Sequence, residues 1–471
     1  MFSRHSAKHR FLLRLTPVFV LALAIRVLCA IPALRAPDRL QRPDSETYLL
    51  PAYALAEDGA INTKPRHNPG VIDCVVDQRP AVQRPPGYIV FLAGLRLIFG
   101  RSPMAFALAG CLIGALAVFP VGVTGLYLAG RRAGFWAAVL YALNLTSLAT
   151  APLILSDTLL GFLVAFQAMY LVKAMRTGCI RDFILGTVFA AAAVLVKPVN
   201  IPVLILLFVS APFLMKVRRK AVCAMLLVPL ISAVIVMPWM FRNRAVGAGF
   251  AVDRNSGLTA LHNTAAILAH AHHSDAETER ALLESEANHD FLTMLYSIQR
   301  FPTAAEREEW YLNRYRETVL AHPWSAAATH LFQVWILLPD LPDFLQNLGL
   351  RTGERGTLAV LRKDGVLAAF RHYMDGSYAA AVLAVPFVLV HTALWFLAAA
   401  GVWIYARGKR WIVLIVCVLP ALYYLAAPGP VVLPRYQIPA LPYVCALAGT
   451  VISVCGIRRW RKRRSCPRCN P

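Results

Sequence analysis

Long apolar runs are the strongest constraint on how this chain can fold, because a helix needs about 20 apolar residues to cross a ~30 Å hydrocarbon core. Such runs recur along the whole length, for example AVCAMLLVPLISAVIVMPWMF at 221–241. Of the 471 residues, 58% are apolar and 15% are charged. Soluble globular proteins carry about 25% charged residues. A soluble enzyme, a disordered chain and a fibrous repeat are therefore excluded, and no internal repeat is visible. The expected class is an all-α polytopic membrane protein.

Ten spans are predicted, at 11–34, 102–129, 133–151, 154–173, 183–196, 199–215, 221–241, 378–405, 410–427 and 436–456. The basic residues fix their direction. One set of short loops holds Arg4, Lys8 and Arg10, then Arg131 and Arg132, then Lys173, Arg176 and Arg181. It continues with Lys216, Arg218, Arg219 and Lys220, then Arg407, Lys409 and Arg410, and ends with the RRWRKRR run from Arg458. These loops alternate with the others, so their side is expected to be cytoplasmic, with both termini inside. The net charge of +23 is read the same way, as orientation and contact with anionic lipid. No basic stripe interleaved with exposed aromatics points to nucleic acid. The N-terminal MFSRHSAKHR has no small-residue cleavage site after it, so a retained first helix is expected.

The chain divides into a membrane module at 1–241 that includes an outer loop at 35–101, an outer segment at 242–377, C-terminal spans at 378–456 and a basic tail at 457–471. Pro86 to Gly100 is too short for a span and reads as an interfacial or re-entrant helix. In the second outer segment, 304–320 (AAEREEWYLNRYRETVL) patterns as a helix. HLFQVWILLPDLPDF is expected to lie against the membrane, and 349–365 to be a loop. The ten cysteines are mostly inside apolar spans. Cys466 and Cys469 form one CxxC, without the second pair that a zinc site needs.

Ionisable residues gather at the outer helix ends, where the charge rule does not put them. Asp44 and Glu46 follow the first span. Arg84 precedes PPGY, and Asp157 opens the fourth span. Lys197 ends the fifth, Arg242 ends the seventh, and Arg435 with Tyr436 opens the tenth. Charges at the bilayer are costly and are functional candidates by default. Each also has a plain structural reading. Asp44, between Pro43 and SETYLL, fits a helix N-cap as well as a base. Glu46 suits a first-turn charge. Asp157 fits a pair with a neighbouring span. Lys197, Arg242, Arg244 and Arg435 fit snorkelling to headgroups. Arg26, inside the first span, reads as paired with a neighbouring helix, and His262 as a loop histidine. No HxxxH or HExxH supports a metal, and no P-loop or GxGxxG supports a nucleotide.

A carboxylate at a membrane surface can take the proton of a hydroxyl acceptor, while nearby cations hold a departing phosphate. On an outer face a soluble nucleotide sugar is not supplied, whereas a lipid-linked phosphosugar is. The constellation suits glycosyl transfer from a polyprenyl-phosphate sugar.

At these residues the chain resembles membrane glycosyltransferases of the C superfamily (GT-C). Within it, the chain is similar to the family 39-like enzymes, the protein O-mannosyltransferases and the bacterial transferases of aminoarabinose and other sugars to lipid A. The matching pieces, in family order, are ALAIRV, PDSETYLLPAYALAEDG, RPPGYIVFLAGL, LILSDTLLGFL, VLVKPVNIPVL, MPWMFRN with NSGLTALHN, and PRYQIPALPYV. They cover about residues 20–265 and 430–445. The resemblance implies a GT-C-type helical core with outer juxtamembrane helices. It makes Asp44 the general base, matches Arg84 to a phosphate-holding cation and Asp157 to a second acid, and matches Arg242 and Arg435 to recurring cations. PDSE is not the adjacent Asp-Glu pair of the protein mannosyltransferases, and 242–377 shows no sugar-binding insert. Both departures weigh against protein O-mannosylation.

The resulting expectation is an inverting transferase of a bacterial inner membrane, with a polyprenyl-phosphate sugar donor and a lipid or glycan acceptor at the outer face. Asp44 is the catalytic candidate. Glu46, Tyr48, Arg84, Tyr88, Asp157, Lys197, Arg242, His262, Arg435 and Tyr436 are the substrate-binding candidates. Some relatives hold a divalent metal, which these residues do not establish. A transporter or flippase of lipid-linked glycans, an assembly scaffold, and an O-antigen ligase or polymerase using a diphosphate-linked donor are the rival classes.

Overall fold

The computed structural model describes residues 2–63, 80–215, 217–299, 303–331, 334–350, 357–374 and 378–464. Residues 64–79, Lys216, Cys466 and Cys469 lie outside them. Among the described residues the chain is helical throughout, and the only β pairing is an isolated bridge between Asn62 and Pro80. Six helical stretches are long and apolar enough to cross a membrane: His9–Leu34, Pro103–Ala129, Asp157–Thr177, Arg218–Ala245, Val382–Arg407 and Pro434–Val454.

The other four expected spans are helical but shorter. The 133–151 segment forms α6 (Arg131–Ala142) and α7 (Leu145–Thr150), because Asn144 breaks it and caps α7 by accepting from the Ser147 N–H at 3.0 Å. The 183–196 and 199–215 segments are α9 (Ile180–Val194) and α10 (Ile201–Leu214). The 410–427 segment runs from Trp411 to Ala426 through a π-turn at Leu414–Val418. At about 1.5 Å per residue, none of these helices reaches the thickness of the core.

The bundle centre is built on small residues. Helix α5 (Val118–Ala129) packs on α6 through Gly122, Gly125 and Gly134. A Cβ on Gly125 would lie 2.9 Å from the carbonyl oxygen of Ala133. The last helix, α21 (Leu441–Arg464), packs on both, and α18 (Tyr378–Arg407) meets it at Gly401. Close backbone approach supplies the dispersion contacts that association in lipid depends on. Arg26 is fully buried within α1 (Phe2–Leu34). Its guanidinium donates to the Ala142 carbonyl (3.3 Å) and to Ser147 Oγ (2.8 Å), so it satisfies the break between α6 and α7.

The two long segments meet at one end of the bundle, called the loop face below. The first carries α2 (Glu46–Asp58) and α3 (Pro86–Phe99), the short helix expected after the two prolines. The second carries α12 (Ser256–His272), α13 (Ala276–Ile298) and α14 (Ala304–Ala321), then α15 (Pro323–Leu331) and α16 (Leu341–Asn347). Helix α14 opens with a capping box between Thr303 and Glu306.

One expectation changes here. The 349–365 stretch is not all loop: α17 starts at Thr357 and runs to Met374, interrupted at Gly365, whose φ of +84° is left-handed. Residues 351–356 of it lie outside the described residues. Within the 330–344 stretch, of which 332 and 333 lie outside the described residues, Ile336 and Phe344 are buried, and the Ile336 and Leu338 carbonyls accept from Gln437 Nε2 at 2.9 Å each. The tail is helical to Arg464, because α21 continues past 456.

Helix α3 docks on the end of α9 at Gly87, whose N–H donates to the Leu195 carbonyl at 2.7 Å. A Cβ there would sit 2.7 Å from that oxygen and 2.9 Å from Val196 Cγ2, whereas a Cβ on Gly94 meets nothing within 4 Å. Gly87→Ala is therefore expected to cost about 1–3 kcal/mol and to lower the apparent Tm of the purified protein. Gly94→Ala in the same helix is expected to leave it unchanged or raised. Equal midpoints for the two variants would mean that the contact at Gly87 is not tight.

Candidate active site

Two interruptions in helical structure bring distant acids together. After α1, the chain turns through Pro37–Leu40 and reaches Asp44 just before α2. After α7, residues 151–156 are irregular, and α8 (Asp157–Thr177) begins. The two turns are tied directly. The Ile154 N–H donates to the Leu40 carbonyl at 2.9 Å, and Ser45 Oγ donates to the Ile154 carbonyl at 2.8 Å. Tyr48 Oη and Ser156 Oγ share a hydrogen bond of 3.0 Å. Irregular backbone at membrane depth needs such partners.

Asp44 does not cap α2. No side chain caps that helix, and Asp44 turns its carboxylate outward to two guanidinium groups. Arg84 pairs with Oδ1 at 2.9 Å, and Arg435 with Oδ2 at 3.3 Å. Arg84 is held in turn by Thr47 Oγ1 (2.9 Å) and lies 5.0 Å over the Tyr48 ring. Asp157 pairs with Lys197 Nζ at 2.6 Å and lies 3.7 Å from Arg435 Nε. Arg435 thus joins the two acids. Lys197 and Arg435 both lie over Tyr436, at 5.2 and 5.6 Å. The acids differ in access: the Asp44 side chain is 42% exposed and the Asp157 side chain 4%.

These groups line a cavity of ≈ 420 Å³. Apolar residues continue the wall, among them Leu160, Val199, Val431 and Leu433. The segment at the start of α12 adds Asp253, Asn255, Ser256, Thr259 and His262. This segment is pinned to the Arg84 loop by the Arg254 N–H, which donates to the Val82 carbonyl at 2.9 Å. Burial pushes the Asp253 carboxyl up to about 7, and Glu308 adds to the rise, against the Asn255 N–H, Arg84 and Arg254. Burial pulls His262 below its ordinary value, with Arg280 acting in the same direction.

Of the sequence candidates, Asp44, Tyr48, Arg84, Asp157, Lys197, His262, Arg435 and Tyr436 share this cavity. Lys197 and Arg435 therefore do not snorkel, and His262 is not a solvated loop residue. Glu46, Tyr88 and Arg242 are not brought to the cavity wall. Glu46 is exposed on the first turn of α2. Tyr88 is buried edge-on against Tyr48, with ring centroids 5.2 Å apart. Arg242 donates to the Ala81 and Ile61 carbonyls at 2.8 and 2.7 Å, so it ties these two parts of the first long segment together. Sequence reasoning missed Asp253. The one signal was an acid in VDRNS, directly ahead of the NSGLTALHN motif.

Among the described residues no three His, Cys, Asp or Glu side chains converge as a cation cage. Both Asp44 and Asp157 face Arg or Lys, so the donor set does not fit a resident divalent metal.

No known family's sequence profile matches the chain, and neither does any curated protein. Solved structures do. The chain is similar to an oligosaccharyltransferase from Archaeoglobus fulgidus, crystallised tethered to an acceptor peptide, with a TM-score of 0.48 and 13% identity over 93% of this chain and 50% of that one. It is similar to ArnT from Cupriavidus metallidurans, bound to undecaprenyl phosphate, with a TM-score of 0.47 and 14% identity over 95% and 61%. A third is the A. fulgidus AglB oligosaccharyltransferase with an inhibitory peptide and a dolichol-phosphate, at 0.46 and 12% over 96% and 52%. The chain spans about half to three-fifths of the length of these proteins.

The Asp253 carboxyl has a direct consequence for stability. Its folded value lies above its ordinary one, so the stability linked to it is complete below about pH 4 and is lost as the pH rises through about 7. Asp253→Asn removes that loss. The wild-type Tm is expected to fall between pH 6 and 8, and the variant to fall less, by about 2 °C. Identical slopes would place Asp253 in solvent.

Proposed function

We propose that the chain is an inverting glycosyltransferase that moves a sugar from a polyprenyl-phosphate donor to a hydroxyl of a lipid or glycan. The observation that carries this reading is the arrangement around Arg435. One exposed carboxylate and three cations share a cavity with an apolar stretch of wall at Leu160, Val199, Val431 and Leu433. A phosphate with a long hydrocarbon tail matches both parts of that wall. The alternation of the basic short loops with the loop face supports a cavity on the outer side.

Asp44 is the base, because its second partner geometry leaves the carboxylate open to the cavity while Asp157 is enclosed with Lys197. Asp44 takes the proton of the acceptor hydroxyl as that oxygen attacks the anomeric carbon. The bond from that carbon to the phosphate oxygen breaks, and its electron pair leaves with the lipid phosphate. Arg84, Arg435 and Lys197 receive the charge that develops there. Attack from the side opposite the phosphate inverts the anomeric centre. Asp157 keeps Lys197 and Arg435 in place and does not touch the acceptor.

A general base contributes roughly 10²- to 10⁴-fold. Asp44→Asn is expected to lower transfer by about that factor in purified protein supplied with a labelled polyprenyl-phosphate sugar. In envelope fractions, mass spectrometry of a deletion strain and of an Asp44→Asn rescue should both lack one sugar mass on one acceptor. Transfer near the wild-type rate by Asp44→Asn would remove Asp44 as the base. An unchanged glycan profile in the deletion strain would remove the transferase reading altogether.

A further inference from the structure

The cavity has two chemically different linings. Arg84, Lys197 and Arg435 are cationic and suit a phosphate. The first two turns of α12 and the residues before it offer neutral hydrogen-bonding groups, with Asn255, Thr259 and His262 spaced to share one helix face. Two of their atoms are buried without a partner in the protein, Asn255 Oδ1 and His262 Nδ1. An unsatisfied buried polar atom is destabilising, so a ligand that completes it gains affinity.

The kind of ligand follows from the atoms. An amide oxygen only accepts, so it needs a ligand that donates. A phosphodiester has no donor to give. A sugar ring has several hydroxyls, each able to donate and accept. His262, pulled down by burial, is neutral near pH 7 and offers one donor and one acceptor.

The segment is also rigidly placed. Glu308 accepts from the Ser256 N–H at 3.1 Å and pairs with Arg254, which also donates to the Ala248 carbonyl at 2.6 Å. A Cβ on Gly257 would lie 3.0 Å from Glu308 Cα, so α12 and α14 are in close contact there. With the Arg254 N–H bonded to Val82, the start of α12 stands at a fixed position relative to Arg84.

We propose that Asn255, Thr259 and His262 form a glycosyl subsite, hydrogen-bonding the hydroxyls of the donor's sugar while Arg84, Lys197 and Arg435 hold its phosphate. This rests on the lipid-phosphate donor proposed above. It assigns sugar selectivity to α12 and leaves the acceptor to the side of the cavity where Asp44 is open.

The test is equilibrium binding to purified full-length protein. The probes are undecaprenol, undecaprenyl phosphate, and undecaprenyl phosphate carrying glucose, galactose, mannose or arabinose. Wild type is expected to bind undecaprenyl phosphate more tightly than undecaprenol, and at least one glycosylated lipid about tenfold more tightly again. A variant combining Asn255→Ala, Thr259→Val and His262→Leu should lose that last factor and keep its affinity for bare undecaprenyl phosphate. His262→Gln alone, which keeps a donor and an acceptor, should retain most of it. Arg84→Gln should weaken every phosphate-bearing probe. The subsite is overturned if no sugar adds affinity in wild type. It is also overturned if the triple variant keeps the preference, or loses bare undecaprenyl phosphate as Arg84→Gln does. If wild type does not distinguish undecaprenyl phosphate from undecaprenol, the donor reading falls and the subsite with it.

Discussion

The guanidinium of Arg435 lies between the carboxylates of Asp44 and Asp157, and the loop face is organised around it. The three residues come from widely separated parts of the chain. An unpaired charge at the edge of a bilayer is costly, and removing one partner exposes the rest. The network therefore acts as a lock on register. Arg84 joins it from the loop ahead of α3, and Lys197 from the end of α9. Gly87 lets the start of α3 approach the end of α9, beside these two cations. Such a network adds little net stability against an apolar alternative.

Broken helices create the room for this. A bundle of unbroken spans would bury its polar groups between parallel cylinders. Here α7 stops after six residues, and the chain crosses back as irregular backbone before α8. In that stretch Ile154 is bonded on both sides from a different segment, its N–H to Leu40 and its carbonyl to Ser45, while the Leu153 and Leu155 N–H groups bond locally. The same holds where Pro434–Ala440 leads into α21, with Gln437 Nε2 bonded to three carbonyls. Both breaks sit beside Asp157 and Arg435.

Much of this was legible from charge and hydropathy. Asp44, Arg84, Asp157, Lys197 and Arg435 stood out because ionisable residues at the less basic ends of apolar helices need an explanation. Helix lengths were less legible. A hydropathy run spans 133–151, but Asn144 divides it, and capping competes with continuation at a single polar residue. Arg242 had the same sequence signature as Arg435 and a different fate. What separated them was the position of the Ile61 and Ala81 carbonyls, which depends on how the first long segment returns. Asp253 was invisible for a similar reason. Its surroundings include Glu308 of α14, more than fifty residues away in sequence, which pairs with the adjacent Arg254.

The position of Asp253 sets the charge of the site. Three cations, Arg84, Lys197 and Arg435, stand against two acids, Asp44 and Asp157, which leaves a formal excess of one positive charge in the cavity. That excess matches a phosphodiester monoanion. A charged Asp253 would cancel it and would compete for Arg84 with Asp44. Burial at the start of α12 counters this by favouring the protonated carboxyl up to about pH 7. The segment that carries the neutral hydrogen-bonding wall is therefore also the segment whose packing keeps the cationic wall available for an anion.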